Sequence, residues 1–374
     1  MPITINYFGD FCPVGRLEQD QILEDPSWIG DILPILREAD INIVNLECPL
    51  TTGSNPIKKS GPNLKAHPKT VKLLKDMNVD IVCLANNHIM DYGTEGLRDT
   101  IDVLEQNGIK YVGAGMTIEE ARLPLYVEKK GIKLAFINVC EKEFSIAGPS
   151  SAGAAPVDLI STYYNIQEAK KNADHVILLI HGGVEHYPHP TPRQIELYRF
   201  FASLGLSAVI GHHSHCVQDW ELYRGTPIMY SLGNFVFDDV DIPNGWNRGL
   251  MLSHSIDETN KIDLNVTSFE VDYGVLPQLK ICDVVPFLQN KKLDEIAVID
   301  KWTKYVGVTR KLCNRLNSIQ KNGKIMRFIY KIYPNLLLQQ IDVPLLNLMR
   351  NETHHEYLVS ALESYLHETY IDNP

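Results

Sequence analysis

No stretch of this 374-residue chain is apolar over the roughly 20 residues that a bilayer-spanning helix needs. A Cys-x-x-Cys pair is missing as well. The seven cysteines, Cys12, Cys48, Cys83, Cys140, Cys216, Cys282 and Cys313, are odd in number and scattered. That distribution speaks against a disulfide framework or a zinc ribbon. Cys83 lies in the apolar run that ends at Ala85, where cysteine behaves as a small core residue, and a reducing compartment is the expectation. Positive charge is scarce, with 35 Lys and Arg against 46 Asp and Glu and a net charge of −11. Nucleic-acid binding needs clustered cations, so that class of function is disfavoured. No basic start, apolar leader or small-residue cleavage site precedes the first strand-like run, Ile3–Phe8. The expectation is a cytoplasmic protein that meets a membrane only through partners. Repeats and low-complexity tracts are absent too, and 44% hydrophobic with 22% charged residues is ordinary globular composition.

What is present is an alternation of short apolar strands and helices over the first ~285 residues. The strand-like runs are Ile3–Phe8, Ile41–Leu46, Asp80–Leu84, Lys133–Val139, Val176–Ile180 and Ala208–Ile210. Helical spacing marks Trp28–Ala39, Pro68–Met77, Thr94–Asn107, Leu159–Asn172 and Pro192–Leu204, with Gly108 and Gly205 as terminators. This pattern predicts a buried sheet covered by helices. After Gly211 the runs Val217–Tyr223, Pro227–Ser231, Leu250–Ile256, Lys261–Asp272 and Gly274–Leu279 predict an antiparallel section on a second sheet. Gly148–Pro156 reads as a flexible loop and candidate lid. Helical spacing resumes at Leu293–Tyr305, Thr309–Gln320, Ile325–Tyr333 and His354–Tyr370. The expected division is a domain over 1–285 and a helical extension over 286–374.

The polar residues of interest fall at the C-terminal ends of the strands, the edge where open α/β sheets bind ligands. Asp10 follows the first run. Asn45 and Glu47 close the second. Asn86-Asn87-His88 closes the third and leads through Asp91. His181 closes a later one, and Gly211-His212-His213-Ser214-His215 the next. Singly, such residues cap helices, shape turns or pack as structural histidines. Five strand ends bearing Asp, Glu, Asn or His at one edge make a different case, because mixed oxygen and imidazole donors suit Mn, Fe or Zn. Alternation along an extended segment would turn His213 and His215 to one side. Glu47 is the candidate carboxylate to bridge two metals. Such metals lower the pKa of bound water from ~15.7 toward ~7 and clamp the oxygens of a phosphoryl displacement. Asn87 has an amide oxygen for the metal, which leaves its neighbour His88 to protonate a leaving group.

The motifs resemble the CapA, or poly-γ-glutamate capsule-synthesis, family within the calcineurin-like metallophosphoesterases. The resemblance rests on Gly9-Asp10, Asn45-Leu-Glu-Cys-Pro-Leu-Thr51, Leu64-Lys-Ala-His-Pro68, Ala85-Asn-Asn-His-Ile-Met-Asp-Tyr-Gly93, Gly113-Ala-Gly115, His181-Gly-Gly-Val-Glu185, Gly211-His-His-Ser-His215 and Tyr230-Ser-Leu-Gly-Asn-Phe235, in family order. It implies a four-layer α/β/β/α sandwich. It assigns Asp10, Glu47, Asn87, His181, His213 and His215 to one or two divalent metals and His88 to catalysis. Cys12 stands where the superfamily usually has a ligand histidine, Gly182 where a Trp is common, and Ser214 where a Pro is common. The Gly-Asp to Gly-Arg loop, ending at Gly15-Arg16, is one residue longer than usual.

Around that set, Cys12, Asn45, Asn86, Asp91, Glu185, His212 and Asn234 are expected to support the site, and Arg16 and Lys65 to meet an anionic substrate. Arg193 and His186 are further cleft candidates, and Trp246 reads as a loop anchor. The expected function is metal-dependent hydrolysis of a phosphoester, or a related acyl or amide bond, in capsule, exopolysaccharide or poly-γ-glutamate synthesis. The alternative is a non-catalytic assembly component that binds polymer through a degenerate metal site. The expected partners are an anionic polymer or phosphorylated precursor and the capsule-synthesis machinery.

Overall fold

The structure is a computed structural model that describes residues 2–238, 246–256, 262–274, 277–286 and 293–306. The first strands are β1 (Ile3–Cys12), β2 (Ile41–Leu46), β3 (Ile81–Cys83) and β4 (Lys110–Val112). Then come β5 (Ala114–Gly115), β6 (Leu125–Lys129), β7 (Ile132–Cys140), β8 (Gly153–Ala154), β9 (His175–His181) and β10 (Ala208–His212). The last are β11 (Trp220–Tyr223), β12 (Thr226–Met229), β13 (Asn234–Phe237), β14 (Arg248–Ile256), β15 (Ile262–Tyr273) and β16 (Pro277–Pro286). Helices α1 (Asp20–Glu24), α2 (Leu33–Glu38), α3 (Val71–Asp76), α4 (Gly93–Gln106), α5 (Ile118–Ala121), α6 (Leu159–Asn172) and α7 (Pro192–Ala202) connect them.

Two large sheets result. The eight-stranded one runs β16-β15-β14-β1-β2-β3-β4, with β13 paired to the end of β1. The six-stranded one runs β11-β12-β10-β9-β7-β6. Their centres are parallel, β1 to β4 in one and β12, β10, β9 and β7 in the other. Parallel strands need crossover helices and are buried on both faces, which explains their unbroken apolar character.

Three apolar layers define the sandwich. Phe8, Val44, Leu46 and Val82 on one face of the larger sheet pack with Leu36, Leu73, Leu97 and Leu104 of α2, α3 and α4. Ile3, Ile5, Ile43 and Ile81 meet Phe136, Ile177, Leu179 and Ile210 between the sheets. Ile137, Leu178 and Val209 on the far face pack against Ile166 of α6 and Ile195, Tyr198 and Phe201 of α7. This is the expected α/β/β/α order. Each such buried side chain contributes about 1.5–3 kcal/mol, so the apolar layers, rather than the polar rim, hold the sheets in register.

Several expectations change. The antiparallel section does not form one block on the second sheet. β11 and β12 extend that sheet, whereas β14, β15 and β16 attach to β1 of the first. The Trp28–Ala39 helix is broken at Gly30 (φ 57), where the Leu279 carbonyl approaches too closely for a side chain. The Gly148–Pro156 stretch is not a lid. Its residues 152–156 are buried, β8 pairs with β5, and Ala155 N donates to Gly113 O at 2.8 Å. A helix over 295–306 agrees with the Leu293–Tyr305 expectation and packs Trp302 and Val306 on Tyr187. The remaining expected helices, Thr309–Gln320, Ile325–Tyr333 and His354–Tyr370, lie outside the described residues.

The parallel strands of both sheets end at one rim. Gly9 lets β13 come close there, since a Cβ on it would lie 1.9 Å from Gly233 O. Asp10 N thereby donates to Gly233 O at 3.0 Å.

Candidate metal centre

Asp10 at the end of β1, Glu47 just past β2, Asn87 after β3, His181 at the end of β9 and His213 and His215 after β10 are all brought to this rim, and all are buried. Two donor groups form. Glu47, His181 and His213 make one, and Asp10, Glu47 and His215 the other, each with one ligand atom per residue lying within 4.8 Å of the others. Glu47 is common to both. His181 Nε2 lies 3.4 Å from Glu47 Oε1, 3.0 Å from Asn87 Oδ1 and 3.1 Å from His213 Nδ1. His215 Nε2 lies 3.6 Å from the same Glu47 oxygen.

The donors fit a divalent metal on two grounds. First, neither oxygen of the fully buried Glu47 carboxylate has a hydrogen-bond partner among the described residues. An unpaired buried carboxylate is costly, and a cation removes that cost. Burial, and then the nearby Asp10, push the Glu47 carboxyl well above the usual range. Second, donors bound ~2.0–2.2 Å from one cation at tetrahedral or octahedral angles sit ~2.9–3.5 Å apart, which matches the spacings around His181. The imidazoles are tuned alike. Burial, and then His213, hold His181 well below its ordinary value. Burial also lowers His215, against the opposing pull of Asp10. Neutral imidazole is the form that ligates.

The convergence of His213 and His215 has a different cause from the expected alternation. β10 stops at His212, and both residues adopt left-handed backbone, φ 93 and 54. Their rings nevertheless approach to 6.4 Å between centroids. Non-glycine residues in this region of φ store about 1–3 kcal/mol each and cluster at functional sites. His213 N donates to Asp10 Oδ2 at 3.0 Å, which helps hold the turn.

A family model described as bacterial capsule synthesis protein PGA_cap matches residues 4–239. The chain belongs to that family. The PGA biosynthesis protein CapA of Bacillus subtilis is 37% identical over 220 residues, 58% of this chain and 56% of that one. The capsule biosynthesis protein CapA of Bacillus anthracis is 30% identical over 257 residues, 65% of this chain and 61% of that one. The matches thus span between half and two thirds of these curated relatives. A solved structure of a hypothetical protein from Thermus thermophilus is similar at a TM-score of 0.43 and 15% identity, over 78% of this chain and 100% of that one.

The residues around the PGA_cap donor set divide into those that touch it and those tied up elsewhere. Asn45 Nδ2 donates to Asp10 Oδ1 at 2.8 Å and lies 3.2 Å from His181 Nδ1. Asn234 Oδ1 accepts from His215 Nδ1 at 2.9 Å. Asn86 steadies the loop between β3 and α4, donating to Leu46 O at 2.8 Å and accepting from His88 N at 3.1 Å. His88 Nδ1 lies 2.7 Å from Asp91 Oδ2, and Leu64 N donates to that oxygen at 2.7 Å. Glu185 reaches solvent at part of its side chain while its carboxyl is partly enclosed. The surrounding walls would raise its carboxyl, yet His213, His215 and His88 outweigh them and hold it low.

Five expectations are corrected. Cys12 packs in the apolar layer beneath the helices and is part of neither donor group. His212 Nε2 donates to Phe8 O at 3.1 Å and ties the two sheets together. Arg16 is committed to Asp238, with Nε 2.9 Å from Oδ2, and to the carbonyls of Tyr273 and Gly274, rather than to a substrate. Lys65 Nζ donates to Gly53 O at 2.5 Å and lies 4.6 Å from the Tyr92 ring centroid. Arg193, a further cleft candidate, pairs with Glu141 at 2.7 Å.

Two residues escaped the sequence reading. Lys59 buries its side chain to pair with Asp91 Oδ1 at 2.5 Å, with Nζ 3.0 Å from His88 Nδ1. It sits in a polar loop beside Lys58, and nothing in the pattern separates the two. Ser145 Oγ donates to Asn87 O at 2.8 Å, from the segment between the Lys133–Val139 strand and the Gly148–Pro156 loop.

Proposed function

We propose that the chain is a metal-dependent hydrolase of capsule or poly-γ-glutamate synthesis that cleaves a phosphoester or a related acyl or amide bond. The reading is carried by Glu47, a buried carboxylate without hydrogen bonds among the described residues that two donor groups share. Glu47, Asn87, His181 and His213 would hold one divalent ion, and Asp10, Glu47 and His215 a second. Bound metal supplies Lewis acidity and acidifies coordinated water. The chain's own groups do the rest. Asn45 and Asn234 orient Asp10 and His215. Asp91 and Lys59 occupy the Nδ1 side of His88, leaving Nε2 as the atom that delivers a proton to a leaving oxygen or nitrogen. The unit that carries this function is residues 1–285, with 286–374 as an extension.

The second reading is a non-catalytic member of the capsule machinery. It is favoured by Cys12, which packs in the apolar layer and adds no thiolate to the Asp10, Glu47 and His215 group among the described residues. Metal analysis with manganese-supported turnover of an aryl phosphate separates the two. The hydrolase predicts turnover that falls about 10²–10⁴-fold in His88→Ala, with metal content unchanged, and loss of metal in Glu47→Ala. Silence with every metal and ester leaves the assembly role.

A further inference from the structure

The hydrogen bond that aims His215 depends on a residue away from the strand ends. Asn234 can offer its oxygen to His215 Nδ1 because its Nδ2 donates to Trp246 O at 3.1 Å. With that amide fixed, Nδ1 of His215 must donate. The neutral ring therefore turns the lone pair of Nε2 toward Glu47 Oε1, 3.6 Å away. The indole of Trp246 adds a second hold. It lies over the His215 ring at 4.3 Å between centroids, while Phe237 closes the edge at 5.2 Å.

A third contact completes a circuit. Trp246 Nε1 donates to His186 Nδ1 at 3.1 Å, and the two rings stack at 5.3 Å and 21°. His186 is held in left-handed backbone, φ 62, and its N donates at 2.9 Å to the carbonyl of Ser214, which lies between His213 and His215. Starting from Trp246, the contacts run through His186 and Ser214 to His215 and back to the indole. The circuit surrounds the histidine of the second donor group, which it forms with Asp10 and Glu47.

We infer that Trp246 is the positioning residue of the Asp10, Glu47 and His215 metal position, and that occupancy of this position depends on an aromatic ring held over His215. The inference rests on the two-position reading above. Outer contacts that orient a ligand are worth about 10–100-fold in metal affinity. The other position has its own supports, Asn87 and His213 against His181, and should not respond.

The test is calorimetric titration of metal-stripped protein with manganese, in the wild type and in Trp246→Leu, Trp246→Phe and Asn234→Ala, each checked for its fold by circular dichroism. The wild type should bind two equivalents. Trp246→Leu and Asn234→Ala should weaken one of them about 10–100-fold and leave the other unchanged. Trp246→Phe keeps a ring over His215 and should hold both. It should also lose the manganese quenching of tryptophan emission, since Trp246 is the one of the four tryptophans that it removes. Two full-affinity equivalents in Trp246→Leu would overturn the inference and leave the two-position reading standing. A wild type that binds no manganese, or binds it equally after Glu47→Ala, would overturn both.

Discussion

His254 makes the folded chain sensitive to acid in a way that can be isolated. It lies on β14 in alternation with Leu250, Leu252 and Ile256, so its ring enters the apolar layer between the sheets. It is fully buried, and neither ring nitrogen has a hydrogen-bond partner among the described residues. Burial, helped by His175, lowers its pKa from 6.5 to about 3. The fold thus prefers the neutral ring. The unfolded chain takes up a proton near pH 6.5 and the native one only near pH 3. Stability is complete above the first value and falls as pH drops toward the second. One pKa unit is worth ~1.4 kcal/mol, so this group alone removes about 2 kcal/mol between pH 7 and pH 5. Replacing His254 with Phe keeps a flat ring, sacrifices no hydrogen bond and abolishes the titration. Urea unfolding of both proteins in chelator at the two pH values gives the answer, because the other histidines are common to both proteins. The wild type should lose about 2 kcal/mol more than the variant. Parallel losses would show that His254 is solvated or paired in solution, and the argument from burial would fail.

Two further outcomes follow from the rim. Gly9→Ala drives a methyl into Gly233 O, 1.9 Å from the ideal Cβ. It should cost on the order of 1–3 kcal/mol by thermal unfolding and lower manganese binding in parallel, because Asp10 moves with the strand. Lys59→Met leaves Asp91 buried without its cation, which should cost about 3–5 kcal/mol of stability. Lys59→Arg, which restores the charge, should recover part of it in the same unfolding assay.

The central strands and the donor residues were legible because both obey short-range rules. Strands buried on both faces must be continuously apolar, and a Gly-Asp, Asn-His or His-x-His at their ends stands out against that background. What escaped was set by distance. The sequence around β14 to β16 shows strands but not that β14 pairs with β1, roughly 250 residues earlier. Edge strands β4 and β6 are short and half-exposed, so their composition resembles that of loops. Lys59 and Ser145 reach the centre through tertiary contacts, for which local composition carries no sign. Arg16 and Lys65 failed in the opposite direction. They look available for a substrate until the carbonyls and the carboxylate that claim them are known.

The donors of the first group straddle the seam between the sheets, with Glu47 from the larger and His181 and His213 from the smaller. A cation seated there would act as a rivet through both plates. The unfolded chain would scatter these donors, so such an ion would favour the assembled sandwich, and mass action would lend the fold ~2.7 kcal/mol at a hundredfold excess over Kd. The melting temperature of the whole chain would climb with the logarithm of free metal, making rigidity and nutrient supply a single variable.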